Sequence, residues 1–318
     1  MKAVVYEKKK VPDQLIYQDV EKPLPGKHEV LVKIHAVSIN AADYRSMRMG
    51  IIPKRKIFGA DIAGRVDAVG SACTKFIVGD QVFGDLSGCG FGGFAEYVAV
   101  PETVLAKKSD KVSFEDASAL PMASLTALQA LRNQGGIKSG QKVLVCGAGG
   151  GVGTFAVQLA KHFGAEVTAV CSPYNVELVQ SLGADHVIDY SKEDFAKSPQ
   201  RYDLVLGVNG TRSLAKYKRV LTPKGIFVAV GGGLSQVFST MLFGSLLSVG
   251  GKKLRLLAAK PDVQDLADVM SLVEAGKIKP IIDRHYPLEK TAEAMQYLSK
   301  GHARGKVVIQ VASHDNSD

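Results

Sequence analysis

Five glycines fall within the seven residues 147–153, GAGGGVG, between the apolar run KVLVC and the run TFAVQLAKHFG. Backbone this rich in glycine makes a poor helix or strand interior, so its value lies in letting another group come close. Val152, Phe155, Ala156, Leu159, Ala160 and Phe163 trace one face of a helix beginning where the glycines end. A strand, a glycine turn and a helix N-terminus together make an anion cradle, with unpaired N–H groups and the positive dipole end aimed at a phosphate. The spacing Ala148-x-Gly150-x-x-Gly153 predicts a dinucleotide pyrophosphate site. Ala148 allows the tight turn, Gly150 admits the pyrophosphate, and Gly153 lets helix and strand pack closely. Gly151 and Val152 complete the expected cradle.

The second strand of such a unit, EVTAVC, ends in Cys171-Ser172-Pro173-Tyr174-Asn175, with no carboxylate for a ribose diol. A carboxylate there repels a 2′-phosphate, and its absence permits one. Ser172 and Asn175 are placed to donate to phosphate oxygens, as is Tyr190 from the end of HVIDY. No Lys or Arg stands in this loop. The expected cofactor is NADPH.

The elements that must position these residues fall into two patterns. Short alternating or apolar runs such as KAVVY, EVLVKIHAVSIN and IAGRVDAVG, bounded by Gly, Pro and Asp, predict a β-rich first third. FEDASALPMASLTALQAL then carries helical spacing. From residue 141, continuous apolar strands (KVLVC, EVTAVC, HVIDY, DLVLGV, GIFVAV) alternate with helical stretches at 152–163, 176–182 and 214–220. Such strands are expected where both sheet faces are covered. The pattern predicts an α/β chain with a doubly wound parallel sheet, LRLLAA being a candidate sixth strand. The tail, with IIDRHYPL, a helix over 292–298 and KVVIQV, is expected to pack back on the first β region, making the cofactor domain an insertion. The expected domains are 1–122 with 279–318, and 123–278.

Composition excludes several classes. No run of the 318 residues approaches the roughly 18 apolar residues of a membrane span. The N-terminal MKAVVYEKKK reads as a strand followed by lysines, so a cytoplasmic location is expected. Four cysteines, at 73, 89, 146 and 171, are too dispersed for a zinc ribbon or disulfide framework. The net charge of +9 suits an anionic cofactor, and leaves peripheral contact with an anionic membrane open. Basic residues at 8–10, 54–56 and 252–255 are not interleaved with aromatics, which disfavours nucleic acid as the main partner. The apolar segment 237–249 is read as a homodimer edge or a pocket lid.

With these residues in view, the chain resembles the medium-chain dehydrogenase/reductase superfamily, and within it the zinc-free quinone oxidoreductase (zeta-crystallin-like) and alkenal/enone reductase branch. The resemblance runs through VSINAADYR, FGADIAGRVDAVG, VGDQVFG, GGFAEYV, LPMASLTALQAL, GAGGGVG, SLGADHVIDY, YPLEKTAEAMQYL and RGKVVI, in order. It implies a GroES-like catalytic domain around the Rossmann insertion. At the positions matching the catalytic zinc ligands of the alcohol dehydrogenases stand Asn40 and Ala60, and the structural-zinc lobe is absent, so no metal is expected. Without a Lewis acid, the implied acceptor is one that takes hydride easily: a quinone or an α,β-unsaturated carbonyl.

The resemblance also implies site residues. Asn40 lies on the loop that faces the nicotinamide, either orienting cofactor or substrate or only capping the turn. Arg45 stands where several enone reductases carry Lys, placed to stabilise an oxyanion or simply solvated. Tyr44 lines the pocket or packs in the core. Asp43 and Asp61 are expected to be structural. Thr126, Val230, Gly231, Gly305 and Lys306 match positions along the nicotinamide end, with plain helix or turn roles as the alternative. Competing functions are an enoyl-thioester reductase, a basic RNA-binding protein with secondary reductase activity, and a reductase working at a membrane surface.

Overall fold

The computed structural model describes residues 1–7, 14–208, 210, 212–231, 248 and 250–311. The 237–249 segment, apart from residue 248, and the lysines at 8–10 lie outside the described residues. The chain divides into two compact units, Met1–Leu125 with Lys260–Asp318, and Thr126–Ala259. The sequence reading set the second boundary at 278–279, after the helix Val263–Glu274; the compact units divide before that helix.

In the first unit the strands are β1 (Lys2–Glu7), β2 (Gln14–Asp19), β3 (Glu29–Ile39), β4 (Asp61–Val69), β5 (Gln81–Asp85), β6 (Tyr97–Pro101) and β7 (Leu105–Lys107). Helix α1 (Ala41–Arg48) follows β3, and α2 (Phe114–Ser118) and α3 (Pro121–Gln129) follow β7. The seven-stranded sheet runs β14-β15-β3-β4-β5-β7, with β6 also on β3, where β14 is Ile282–Pro287 and β15 is Lys306–Gln310. Strand β3 is the spine, and Val30, Val32, Ile34, Val37 and Ile39 are all buried in the unit's main apolar core. The helical pattern read over 114–131 is broken at Leu120-Pro121, because the residue before proline is disfavoured in the helical region.

In the second unit the strands are β8 (Lys142–Cys146), β9 (Glu166–Cys171), β10 (His186–Asp189), β11 (Tyr202–Val208), β12 (Leu221–Val230) and β13 (Lys253–Leu256). All pair in parallel in the order β10-β9-β8-β11-β12-β13. Renumbered within the unit this is 3-2-1-4-5-6, the doubly wound dinucleotide-binding order with its switch point at β8. Helices α4 (Gly151–His162), α5 (Val176–Ser181) and α6 (Leu214–Arg219) make the crossovers. The expected sixth strand is β13. Continuous burial along β8 and β9 follows from coverage of both sheet faces. Helices α7 (Val263–Glu274) and α8 (Thr291–Ser299) belong to the first unit.

Candidate active site

In the second unit the glycine loop joins β8 to α4, its turn one position from where the spacing puts it. The left-handed residue of the turn is Gly147, with φ of 77°, one position before Ala148. A Cβ on Gly147 would stand 2.4 Å from the Val208 carbonyl oxygen, so the turn is closed to other residues twice over. A Cβ on Gly153 would meet the Gly147 oxygen at 2.1 Å and Ala148 Cα at 2.7 Å: helix and loop touch there. At Gly150 the same atom would find only the Gly147 oxygen, at 3.8 Å. Open space at Gly150 is the cradle. Helix α4 starts at Gly151, has no side-chain cap and carries no acid in its first turn, which leaves its first N–H groups to an outside anion. Residues 150–153 therefore fit a pyrophosphate.

Ser172 and Asn175 sit together at the end of β9, the Asn175 Nδ2 donating to Ser172 Oγ at 3.1 Å. Asn175 also covers the loop, since a Cβ on Gly149 would fall 2.4 Å from its Nδ2. Tyr174 and Tyr190 are exposed. The sequence reading missed Asp189, which pairs with Cys171 across β9 and β10 and so stands beside the ribose-reading loop. Its carboxylate accepts from Ser191 N at 2.9 Å and Ser191 Oγ at 2.7 Å, and these donors hold it below the usual carboxylate range. Val230 is buried at the end of β12, and Gly231 follows it with φ of 64°. Thr126 is half-buried on α3.

In the first unit, three strand ends converge. Val307 pairs with Ile39, Ser38 with Asp61, and Asp61 with Asp85. This register brings Lys306, at the first residue of β15, to Asn40, just past β3, and to Asp61, at the first residue of β4. The Lys306 Nζ donates to Asn40 Oδ1 at 2.6 Å and to Asp61 Oδ2 at 3.4 Å. The Asn40 Nδ2 donates to Asp61 Oδ2 at 2.8 Å and to Ser38 O at 3.4 Å. Asp61 further accepts from Ser38 Oγ at 3.1 Å and, on Oδ1, from Met122 N at 3.1 Å. Three of these donors converge on Oδ2 and one on Oδ1. All these side chains are buried.

Asn40 is the N-cap of α1, and Asp43 reaches back to it, its Oδ2 accepting from Asn40 N at 2.8 Å and its Oδ1 from Gly59 N at 3.2 Å. Burial pushes the Asp43 carboxyl up to about 7, against the pull of the Asn40 N–H. Burial likewise raises Asp61 to about 6, against the attraction of the Lys306 ammonium. Asp85 is raised by burial too, its carboxylate taking Ser87 N at 2.8 Å. Asp43 and Asp61 thus take donors within the first unit, and both amide hydrogens of Asn40 are committed inside the protein. Two of the Lys306 N–H groups are used; the third has no partner among the described residues. Gly305, with φ of 90°, passes so near the Ile281 carbonyl that a Cβ would stand 2.2 Å from its oxygen, which accounts for its type. Tyr44 and Arg45 are half-buried on α1, the guanidiniums of Arg45 and Arg48 lying 5.9 and 5.6 Å from the Tyr44 ring centre.

Comparison with known proteins follows the same outline. Residues 26–110 match the alcohol dehydrogenase GroES-like domain, and residues 182–309 match a zinc-binding dehydrogenase domain. A chloroplast envelope quinone oxidoreductase homolog of Arabidopsis thaliana is 37% identical over 310 residues, covering 93% of this chain and 94% of the relative. The chain is a medium-chain dehydrogenase/reductase. An NADPH-dependent alkenal/one oxidoreductase of the same plant is 34% identical, covering 97% of this chain and 79% of its own length. The quinone oxidoreductase of Coxiella burnetii superposes with a TM-score of 0.86 at 30% identity, covering 98% of each chain. The protein is therefore an oxidoreductase of the superfamily's quinone and enone reductase type.

The superfamily's zinc does not fit this donor set. Zinc sites are built from thiolate, imidazole and carboxylate ligands. Here Asn40 and Ala60 stand at the positions the resemblance matches to zinc ligands, neither side chain is of those types, and the Asp61 carboxylate already accepts from Lys306, Asn40, Ser38 and Met122. Among the described residues no group of three His, Cys, Asp or Glu is placed to hold a metal.

Proposed function

We propose that this reductase is NADPH-dependent and zinc-independent, and that it delivers hydride to a quinone or an α,β-unsaturated carbonyl. The observation that carries the reading is the buried Asn40–Asp61–Lys306 network, which puts a fixed ammonium, and no Lewis-acid ligand set, at the start of the helix that carries Tyr44 and Arg45. An acceptor that needs no polarising metal is the one such a site serves.

Bound NADPH supplies the hydride. Residues 150–153 hold its pyrophosphate, and Ser172, Asn175 and Tyr190 take the 2′-phosphate. The lack of a carboxylate at the end of β9 supports the phosphorylated cofactor. Thr126, Val230 and Gly231 of the second unit line the nicotinamide end, and in the first unit the Lys306 ammonium keeps one free N–H beside Gly305. Asn40 acts by holding that ammonium through its Oδ1. Hydride addition leaves negative charge on the acceptor oxygen, which Arg45 stabilises while Tyr44 lines the pocket. The protein is taken to be a homodimer acting in the cytoplasm, the first of which sedimentation tests.

The deciding experiment follows NADPH and NADH oxidation with a small quinone, a reactive 2-alkenal and an enoyl thioester, before and after dialysis against a strong chelator. Turnover of the first two with NADPH, unchanged by chelator, is expected. Absence of turnover with every acceptor, or stoichiometric zinc required for activity, refutes the reading.

A further inference from the structure

The segment 45–56, RSMRMGIIPKRK, carries five cations and no carboxylate. It is anchored at both ends. Ser46 and Met47 are buried, and Ile51 N donates to Ser46 O at 3.0 Å. Pro53 and Ile57 are also buried, Lys56 N donates to Pro53 O at 2.9 Å, and Lys56 O accepts from Tyr6 N at 2.6 Å. Between these anchors Met49, Ile51 and Ile52 stand 62%, 44% and 56% exposed. Three large apolar side chains within four residues, on backbone tied down on either side, form a patch of the kind that marks a contact surface.

Four of the five cations, Arg48, Lys54, Arg55 and Lys56, are exposed. Lys54, Arg55 and Lys56 are exposed and form no ion pair among the described residues. Arg48 is exposed and leans only on the Tyr44 ring. Aliphatic tips ringed by unpaired cations suit one surface best, an anionic bilayer, where the tips enter the headgroup boundary and the cations meet the lipid charges. Nucleic acid rewards stacking aromatics, and the patch presents aliphatic chains instead.

We propose that the turn between α1 and β4 docks the protein on anionic membranes, with Met49, Ile51 and Ile52 as the inserted tips. The variants that test it leave Tyr44 and Arg45, the residues assigned to the acceptor, unchanged. The test is co-sedimentation of the full-length protein with vesicles of phosphatidylcholine alone, or of phosphatidylcholine with one third phosphatidylglycerol. Binding to the anionic vesicles only, weakening with salt, is expected. One surface cation contributes about fivefold in partitioning, so Lys54→Gln/Arg55→Gln lowers it roughly 25-fold. Ile51→Ser/Ile52→Ser lowers it at least tenfold. The control Lys138→Gln/Lys224→Gln, on exposed lysines of the second unit, leaves it unchanged. Circular dichroism and thermal melting confirm that each variant is folded. No anionic-vesicle binding at low salt, equal binding by the loop variants, equal loss in the control, or tighter binding to a single-stranded RNA than to vesicles overturns the proposal.

Discussion

Replacing Lys306 with Met removes the ammonium and leaves its partners buried. Asp61 keeps three donors, from Asn40, Ser38 and Met122, but loses its only cationic one. Asn40 Oδ1 loses its donor at 2.6 Å. Breaking a buried ion pair from one side costs about 3–5 kcal/mol. The surviving hydrogen bonds set the expectation at the lower end, about 3 kcal/mol at pH 8. The pH dependence separates lost charge from lost packing. The folded-state pKa of Asp61 already lies above its unfolded value, raised to about 6 by burial with the ammonium present. A group shifted upward stabilises the fold at low pH and loses that contribution as pH rises through its folded pKa. Without Lys306 the shift grows, so the deficit against the parent opens as pH rises through neutrality. At pH 5, with Asp61 protonated, it shrinks to about 1–2 kcal/mol, the cost of the unpaired Asn40 oxygen. Urea unfolding at pH 5 and 8 is followed by far-ultraviolet circular dichroism, since the chain has no tryptophan. Asp61→Asn added to Lys306→Met recovers part of the loss at pH 8. A deficit below about 1 kcal/mol at pH 8, or one equal at both pH values, refutes the argument from a buried charge pair.

Gly153→Ala forces a Cβ into the Gly147 carbonyl at 2.1 Å and costs about 1–3 kcal/mol of stability, read as a lowered urea midpoint. Gly150→Val meets only the Gly147 oxygen at 3.8 Å, so it leaves the melting temperature of the free protein near the parent's while NADPH binding falls at least tenfold by titration calorimetry. Ser172→Asp puts a carboxylate against the 2′-phosphate and raises the KM for NADPH at least tenfold more than that for NADH, a ratio read from steady-state kinetics. Asp43→Asn removes a carboxyl that burial has raised to about 7. The parent loses stability as pH rises through that value, so the melting temperature of the variant relative to the parent increases from pH 6 to pH 8.

Much of this fold was legible because its signals are local. The glycine loop, the strand before it and the helix after it are adjacent in the chain, and the apolar strands from residue 142 on declare a sheet covered on both faces. The candidate sixth strand followed from the same alternation, while its place beside β12 is given by the structure. The α2–α3 break was missed because apolar spacing continues through Leu120-Pro121 while the backbone rule of proline interrupts it. The turn residue was placed one position late, at Ala148. Motif spacing counts residues, whereas the left-handed φ belongs to Gly147, whose carbonyl must also fit under Gly153.

The polar network was hidden for a different reason. Asn40 and Lys306 are 266 positions apart, and only the antiparallel register of β15 on β3 makes them neighbours. A single lysine opening an apolar strand, in RGKVVI, was the available sign, since an ammonium at a buried strand end requires a partner. Asp43 reaches back to the Asn40 N–H, while the Asn40 amide bridges ammonium and carboxylate. The Asp43 contact and the charge pair of Asp61 with Lys306 thus meet at Asn40, and both hold the end of β3 that leads into Tyr44 and Arg45.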